Sequence, residues 1–155
     1  GLVCDPRTAA AEARRVSAFT HFDPAAGYRC AAVSTAAAVL LVGGEQEDAL
    51  AAARNAAGRT DLFSGDLIPS VDAVEATRCA FFCFRQAASV RDCIEQVATL
   101  GGDTDTIAAI AGGLAGVYFG MENIPKEWVC RIGIRKHIAA CAGSLTSARG
   151  AARRA

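Results

Sequence analysis

Oxygen-bearing side chains crowd into one short stretch of this 155-residue chain, Gly101-Gly102-Asp103-Thr104-Asp105-Thr106. Carboxylate and hydroxyl oxygens are the ligands that Mg²⁺, Mn²⁺ and Ca²⁺ prefer, and they do not suit copper or thiolate-bound zinc. The same residues could instead cap a helix, with Asp103 at the N-cap and Asp105 in the first turn, where the helix dipole stabilises a carboxylate. A second acid beside a cap mostly adds repulsion unless a cation is present. Spacing alone leaves both interpretations open.

The residues after this motif predict a helix that is buried on all sides. The run from Ile107 to Gly120 contains no charged residue, and a helix that is apolar all round belongs inside a fold. Ala108, Gly112 and Gly116 form a stripe of small residues at four-residue spacing. Such a stripe lets another helix approach closely, so we expect the motif to lie on a rigid core rather than on a free end.

Two other chemistries use an Asp-x-Asp motif, and neither has the necessary context here. A phosphotransfer aspartate of the haloacid-dehalogenase type follows a β-strand, whereas the residues from Ser89 to Leu100 have a helical pattern. A glycosyltransferase metal motif needs an α/β nucleotide-binding fold, for which the sequence gives no indication.

The rest of the chain also predicts helices. Asp5-Pro6 and Asp23-Pro24 each combine a capping residue with proline at the first helical position. No segment alternates apolar and polar residues between turn signals, so no strand is predicted. The fold class is therefore all-α, a layered helical bundle in a single domain. The predicted helices are Arg7–Ser17, Ala25–Val42, Glu45–Ala57, Val71–Ala87 capped by Ser70, Ser89–Leu100, Ile107–Gly120, and a short helix from Pro125 through Trp128, after which the chain continues helically to about Ala142. The run Cys79–Phe84 is apolar all round, which predicts a central helix, and Ser89 with Asp92 three residues later predicts a capping box.

Composition excludes several classes of protein. Hydrophobic residues make up 52% of the chain, and 16 basic residues balance 16 acidic ones, so no overall field favours nucleic acid or an anionic membrane. The apolar runs are too short to cross a bilayer, and no secretory signal is visible. Arg149, Arg153 and Arg154 lie in a segment, 143–155, that we expect to be a frayed tail.

The seven cysteines are an odd number scattered among apolar neighbours. None has the spacing of a zinc site, and we interpret them as small buried hydrophobic residues in a reducing compartment, the cytoplasm. They stand at positions Cys4, Cys30, Cys79, Cys83, Cys93, Cys130 and Cys141.

The segment from Gly101 to Gly120, together with Ile124-Pro125 and Trp128, resembles the C-terminal signature of the ADP-ribosylglycohydrolase family. That family includes the dinitrogenase-reductase-activating glycohydrolases and the eukaryotic ADP-ribosyl hydrolases. The upstream segment from Phe19 to Pro24 is similar to its Thr-His-x-Asp-Pro turn. The order and the spacing of the two motifs match those of the family, and the resemblance spans roughly residues 10 to 130.

This resemblance implies an all-α domain around a dinuclear Mg²⁺ or Mn²⁺ site. The implied activity is hydrolysis of the bond that joins ADP-ribose to a protein side chain or to another acceptor, so the substrate would be an ADP-ribosylated protein or a small ADP-ribose conjugate. Asp103, Asp105 and Thr106 match the metal-ligating positions of the family, and His21 matches the position that approaches bound ADP-ribose. His21 could alternatively serve only its own turn, by bonding backbone carbonyls.

One metal-binding motif of the family is not found in this sequence, which limits how much of the metal site the chain can form. The family carries a Thr-Asp-Asp cluster in its N-terminal half, and the only adjacent acids here, Glu47-Asp48, have no threonine before them. Three ligands cannot complete two hard-metal shells of about six donors each. The chain therefore resembles the C-terminal half of the domain, starting at or near Gly1, with the N-terminal half missing or supplied by a second chain or cleaved piece. The alternative is a non-catalytic relative that has a structural or ADP-ribose-binding role.

Overall fold

A computed structural model describes residues 5–58 and 62–152, with side chains up to residue 148. Helices account for all the regular structure in these ranges, and no strand occurs there, which confirms the all-α class. A single turn of 3₁₀ helix (Met121–Asn123) joins the sixth and seventh helices. The helices are α1 (Pro6–Ser17), α2 (Pro24–Leu40), α3 (Gln46–Ala56), α4 (Ala73–Gln86), α5 (Val90–Leu100), α6 (Thr104–Phe119), α7 (Lys126–Arg131) and α8 (Arg135–Ala152).

Aspartate caps begin three of these helices. Asp5, Asp23 and Asp72 accept backbone N–H groups of the first turns of α1, α2 and α4 at 2.8 to 3.1 Å, which satisfies donors that a helix start leaves unpaired. The predicted cap of α4 was wrong, because Asp72 rather than Ser70 caps it. Ser70 lies two residues earlier, and its hydroxyl accepts the Asp72 N–H at 3.3 Å.

Ser89 caps α5 as predicted, by accepting the Asp92 N–H at 3.0 Å. In a capping box, the third residue of the helix accepts the backbone N–H of the cap residue. Here the Asp92 carboxylate instead accepts the N–H of Ala88, one residue before the cap, at 2.8 Å. The pKa of Asp92 is lowered, mainly by this hydrogen bond from the Ala88 N–H and secondly by the hydrogen bond from the Gln96 side chain.

The core lies where α4 and α6 pack between the other helices. Its largest buried apolar side chains include Phe81, Phe84, Ile107 and Leu114, each at most 2% exposed. Burying such a side chain stabilises the fold by about 1.5–3 kcal/mol. The apolar run predicted to be central, Cys79–Phe84, is buried except for Phe82, which is 42% exposed.

Helices α2, α4 and α6 run in the same direction, so their first turns lie at the same end of the bundle. The Phe84 and Tyr118 rings meet edge to face at 6.1 Å between centroids, near the last turns of α4 and α6. The Gln46 side chain at the start of α3 donates to the Phe84 carbonyl at 2.9 Å, which places the end of α2 beside the end of α4. At the opposite end, the Asp103 N–H donates to the Pro69 carbonyl at 3.4 Å. The N-termini of α2, α4 and α6 therefore share one end of the bundle.

The short helix predicted from Pro125 through Trp128 corresponds to α7, and the helical continuation corresponds to α8. Residues 132–134 separate the two helices, and α8 extends to Ala152, beyond the predicted end near Ala142. Arg91 of α5 holds α7 by stacking its guanidinium carbon 5.0 Å from the centre of the Trp128 ring and by pairing with Glu127. Every residue of α8 through 148 is exposed. The fraying expected for residues 143–155 stays a prediction, and Arg153 and Arg154 lie outside the described residues.

The interpretation of the cysteines is right for some positions and wrong for others. Cys79, Cys83 and Cys93 are buried free thiols, and burial raises the pKa of Cys83 to about 11 and that of Cys93 to about 12. The remaining thiols that the structure describes, at Cys30, Cys130 and Cys141, are exposed, and Cys4 lies outside the described residues. Within the described ranges, no helix has both the length and the apolar character needed to cross a bilayer.

Truncating Phe84 tests the packing of α4 on α6. We expect Phe84→Ala to lower the free energy of unfolding by about 3–5 kcal/mol, because it leaves a cavity against Tyr118. Phe82→Ala removes the same atoms from a side chain that is 42% exposed, so it is the matched control and should cost clearly less. Urea denaturation followed by circular dichroism measures both, and equal losses would contradict the assigned core.

Thiol accessibility provides a second test of the core. An excess of Ellman's reagent on the native protein should modify Cys30, Cys130 and Cys141 at once, because the reactive thiolate forms only where solvent reaches the sulfur. Cys79, Cys83 and Cys93 should react only after denaturant is added. Peptide mapping identifies each labelled position, and rapid native labelling of Cys93 would contradict its burial.

Candidate functional site

The candidate site is built on a glycine turn at the start of α6. Gly101 and Gly102 have φ angles of +74° and +64°, which side chains with a Cβ rarely adopt. A Cβ on Gly102 would lie 1.9 Å from the Pro69 carbonyl oxygen, whereas one on Gly101 would meet no atom within 4 Å. Glycine at 102 is thus required for the close approach of the turn to the loop before α4, and this approach fixes the position of Asp103.

The first carboxylate of the motif does not act as a cap. Asp103 occupies the N-cap position of α6, but its side chain makes no capping hydrogen bond. Asp105 accepts the N–H of its neighbour Thr106 at 3.0 Å instead. The interpretation of Asp103 as a conventional side-chain cap is therefore wrong, since its backbone ψ of 62° lies outside the extended conformation that capping side chains usually require.

The Asp103 carboxylate is left with an unsatisfied oxygen. Its Oδ2 is buried and has no hydrogen-bond partner among the described residues. The pKa of Asp105 is lowered, first by a hydrogen-bonding interaction with the Asp103 carboxyl group and then by the Thr106 N–H. Two carboxyl groups hold together only by sharing a proton or a cation. The arrangement fits a hard cation, because a buried oxygen without a partner is otherwise costly.

The donor set at this position is small. Asp103, Asp105 and Thr106 supply oxygens, and the described part of the chain contains no group of three or more His, Cys, Asp or Glu side chains placed to hold a metal ion. A hard divalent cation usually takes about six oxygen donors. Three oxygen donors would fill only part of such a coordination shell.

The helix that carries the motif is exposed along one side, contrary to the expectation of complete burial. Asp105, Thr106, Ala109 and Gly113 are exposed, and at 100° per residue they fall on the same side of α6. A Cβ on Gly113 would meet no atom within 4 Å, whereas one on Gly112 would lie 2.8 Å from Ile94 of α5. Close packing of the small-residue stripe is therefore found at Gly112, and the neighbouring side of α6 is open.

Thr106 also borders a pocket between α2, α4 and α6, with a volume of about 360 Å³. Arg29 of α2 lines the same pocket and is only 1% exposed. A guanidinium stays charged, and its burial needs hydrogen bonds or a counter-charge. Sequence reasoning missed Arg29, although a single charge within the apolar helix from Pro24 to Leu40 was an available signal. Arg29 thus places a guanidinium in the pocket wall beside Thr106.

His21 lies in the turn before α2, at the same end of the bundle as the start of α6. Its side chain is exposed, and Nδ1 lies 2.9 Å from the Thr20 hydroxyl. Within the described ranges the ring makes no hydrogen bond to a backbone carbonyl, and the role of His21 stays a prediction. His21 lines an open pocket of about 190 Å³ with Phe22, Arg14 and Tyr28. The Arg14 guanidinium carbon lies 5.1 Å from the centre of the Tyr28 ring.

The structure thus brings the predicted site residues to one end of the molecule in two groups. Asp103, Asp105 and Thr106 form one group at the start of α6, and His21 lies in the other, beside the start of α2. No hydrogen bond within the described residues joins the two groups. The wall between them belongs to α2, where the N-terminal turns hold Arg29.

The chain is similar in sequence to several known proteins. The family model described as ADP-ribosylglycohydrolase matches residues 1–155. The ADP-ribosylarginine hydrolase Tri1 of Pseudomonas putida is 31% identical over 142 residues, which cover 83% of this chain and 38% of Tri1. The ADP-ribosylhydrolase ARH3 of Bos taurus is 63% identical over 30 residues, 19% of this chain and 8% of that protein. The ADP-ribosyl-[dinitrogen reductase] glycohydrolase of Rhodospirillum rubrum is 38% identical over 45 residues, 29% of this chain and 15% of that protein.

These matches cover only part of each relative. The similarity to Tri1, which extends over most of this chain, accounts for 38% of the length of Tri1. The chain therefore spans well under half of the curated relatives that it matches.

Replacing each glycine of the turn tests the close approach to Pro69. Both Gly101→Ala and Gly102→Ala introduce backbone strain of about 1–3 kcal/mol, because both positions have positive φ. Only Gly102→Ala also collides with the Pro69 carbonyl, which should add about 1–3 kcal/mol. Urea unfolding of the two variants measures the difference, and equal destabilisation would contradict the contact.

Proposed function

The chain belongs to the ADP-ribosylglycohydrolase family, and from this premise we propose that it forms the C-terminal half of a metal-dependent ADP-ribosyl hydrolase. The reaction is hydrolysis of the glycosidic bond between ADP-ribose and a protein side chain or another acceptor. The observation that carries the proposal is the buried, unpartnered Oδ2 of Asp103 beside the Asp105 carboxylate. Family membership gives the reaction class, and this oxygen supports the metal site.

The residues that would hold Mg²⁺ or Mn²⁺ are Asp103, Asp105 and Thr106. When bound, the cations supply charge that orients and acidifies a water molecule and fixes ribose hydroxyls. The glycine turn keeps the Asp103 carboxylate in place against the Pro69 loop, so the donors are oriented before the ligand arrives.

Substrate binding is assigned to the same end of the bundle. His21 is exposed at the mouth of its pocket, where its imidazole can donate or accept a hydrogen bond with ADP-ribose. The N-termini of α2, α4 and α6 point to this end, and helix N-termini favour anionic groups such as a diphosphate. Arg29 places a buried guanidinium in the adjoining wall.

The exposed side of α6 supports the half-site part of the proposal. Ala109 and Gly113 continue from Asp105 as a smooth, exposed and apolar surface, and a helix can pack closely on residues that have little or no side chain. A segment packed there would bring its own oxygen donors next to Asp105 and Thr106. Such a segment could belong to an N-terminal half, on this chain or on another one, and would complete the two shells of a dinuclear site.

A non-catalytic relative remains the second candidate, and the small donor set favours it. A chain with three oxygen ligands can retain weak cation or ADP-ribose binding without turnover. The two candidates differ in what happens once the remaining half of the domain is present, because only the hydrolase then releases ADP-ribose.

The first experiment measures binding by the chain itself. Thermal unfolding is followed with and without Mg²⁺, Mn²⁺ and ADP-ribose for the native protein and for Asp105→Asn. A ligand at 100 times its Kd should stabilise the native protein by about 2.7 kcal/mol, and Asp105→Asn should lose the response to metal. Asp48→Asn is the matched control, since Asp48 is an exposed carboxylate on α3. A metal response retained by Asp105→Asn would contradict the assigned site.

The second experiment measures turnover. Peptides carrying ADP-ribose on arginine or on serine are incubated with Mg²⁺ or Mn²⁺, the chain and the N-terminal half of a related hydrolase, and released ADP-ribose is quantified. Asp105→Asn should lower the rate by at least about 100-fold, because changes in groups that merely support metal ligands already cost 10–100-fold. Equal rates for native protein and Asp105→Asn would contradict the proposed function. Binding without turnover would favour the non-catalytic candidate.

A further inference from the structure

The loop that leads into α4 helps to determine where the candidate site lies. Its Pro69 carbonyl accepts the Asp103 N–H at 3.4 Å and lies against Gly102. A loop can fix another backbone segment only where it is itself held in place, because backbone with few packed contacts opens readily. The contacts that hold this loop therefore bear on the position of the Asp103 carboxylate.

Apolar side chains hold part of the loop. The Phe63 ring meets the Phe81 ring edge to face at 5.9 Å between centroids, and Leu67 packs against the core. Asp66 and Ile68, on either side of Leu67, are exposed. The path of the chain toward α4 therefore also depends on what the backbone groups of these two residues contact.

Two consecutive residues of α4 contact that backbone. The Arg78 guanidinium donates from one terminal nitrogen to the Asp66 carbonyl at 3.5 Å. Burial raises the pKa of the Cys79 thiol, and a hydrogen bond with the Ile68 backbone opposes this rise. Both contacts lie inside this chain, so a further part of the domain is not needed to form them.

An ion pair orients the Arg78 guanidinium. The same terminal nitrogen donates to the Glu75 carboxylate at 2.6 Å, and the two side chains are 15% and 21% exposed. The Arg78 Nε is buried and has no hydrogen-bond partner among the described residues. A buried ion pair contributes little net stability, and apolar residues of similar volume often serve as well. Stability alone gives no reason for arginine at this position, whereas fixing a backbone carbonyl does.

We propose that Arg78 is a positioning residue for the candidate site. By holding the Asp66 carbonyl it keeps the Pro69 carbonyl on the Asp103 N–H, and the Asp103 carboxylate is thereby in place before a cation binds. In this role Arg78 acts through the backbone of the loop and contacts neither cation nor substrate. The inference rests on the proposed function only in assigning Asp103 to a metal ion.

Hydrogen exchange of single backbone amides, followed by NMR, measures this effect without a metal ion. Arg78→Met removes the guanidinium and should speed exchange of the Asp103 N–H by at least roughly 5-fold, the factor expected from loss of one hydrogen bond. Glu75→Gln is the matched control, because the glutamine oxygen still accepts from the guanidinium, and it should change this rate by less than roughly 2-fold. The Cys93 N–H, which donates to the Ser89 carbonyl at the other end of α4, reports general destabilisation and should keep its native rate.

A double variant removes the effect of an unpaired charge. Arg78→Met leaves the Glu75 carboxylate without its partner, and an uncompensated charge of this kind can destabilise the fold. Combining Arg78→Met with Glu75→Gln leaves no such charge. The double variant should speed exchange of the Asp103 N–H by the same factor as Arg78→Met.

Calorimetric titration with Mn²⁺ connects the positioning with the metal site. Arg78→Met should weaken Mn²⁺ binding by at least roughly 10-fold, as changes in groups that support metal ligands do. Glu75→Gln should leave the affinity within roughly 2-fold. If the native chain binds no Mn²⁺, the proposed metal site is contradicted, whereas the exchange of the Asp103 N–H still decides the inference about Arg78.

Four outcomes would overturn the inference. The first is exchange of the Asp103 N–H at the native rate in both Arg78→Met and the double variant. The second is equal acceleration by Arg78→Met and Glu75→Gln, which would assign the effect to the ion pair. The third is equal acceleration at Asp103 and Cys93, which would make Arg78 a general contributor to stability. The fourth is native Mn²⁺ affinity in Arg78→Met despite faster exchange at Asp103.

Discussion

The packing of α6 against α4 and α5 is the constraint on which the candidate site depends. At one end of α6, Tyr118 meets the buried Phe84 ring, and in the middle Gly112 allows close approach of Ile94. Because α6 is fixed along its length, the Gly101-Gly102 turn that precedes it must pass close to the Pro69 carbonyl. Only glycine fits that path at 102, and so the core of the bundle determines where Asp103 lies.

The same geometry leaves the Asp103 carboxylate without the partner that a helix start usually provides. A capping aspartate relieves unpaired N–H groups and is itself satisfied, as Asp72 illustrates at the start of α4. Asp103 has the residue type and the position of a cap but not the backbone angles, and its buried Oδ2 stays unpaired within the described residues. A fold tolerates such a group where function requires it, which is why the contrast between these two aspartates bears on the proposed metal site.

One side of α6 lacks the burial that its apolar composition would predict. The exposed residues Ala109 and Gly113 continue from the proposed oxygen ligands along the helix. Because this surface is apolar and has little or no side chain, we assign it to a segment that completes the hydrolase site.

Sequence by itself determined the elements that depend on local chemistry. Asp5-Pro6, Asp23-Pro24 and Ser89 predicted helix starts correctly, because capping involves residues only a few positions apart. The residues of the oxygen-rich motif were also evident, from their types and from the family resemblance. Tertiary structure decided what local pattern cannot encode: that Asp103 does not cap, that Phe82 and one side of α6 are exposed, and that Arg29 is buried beside Thr106. Each of these depends on which distant helix lies opposite, and a periodic pattern does not specify its neighbour.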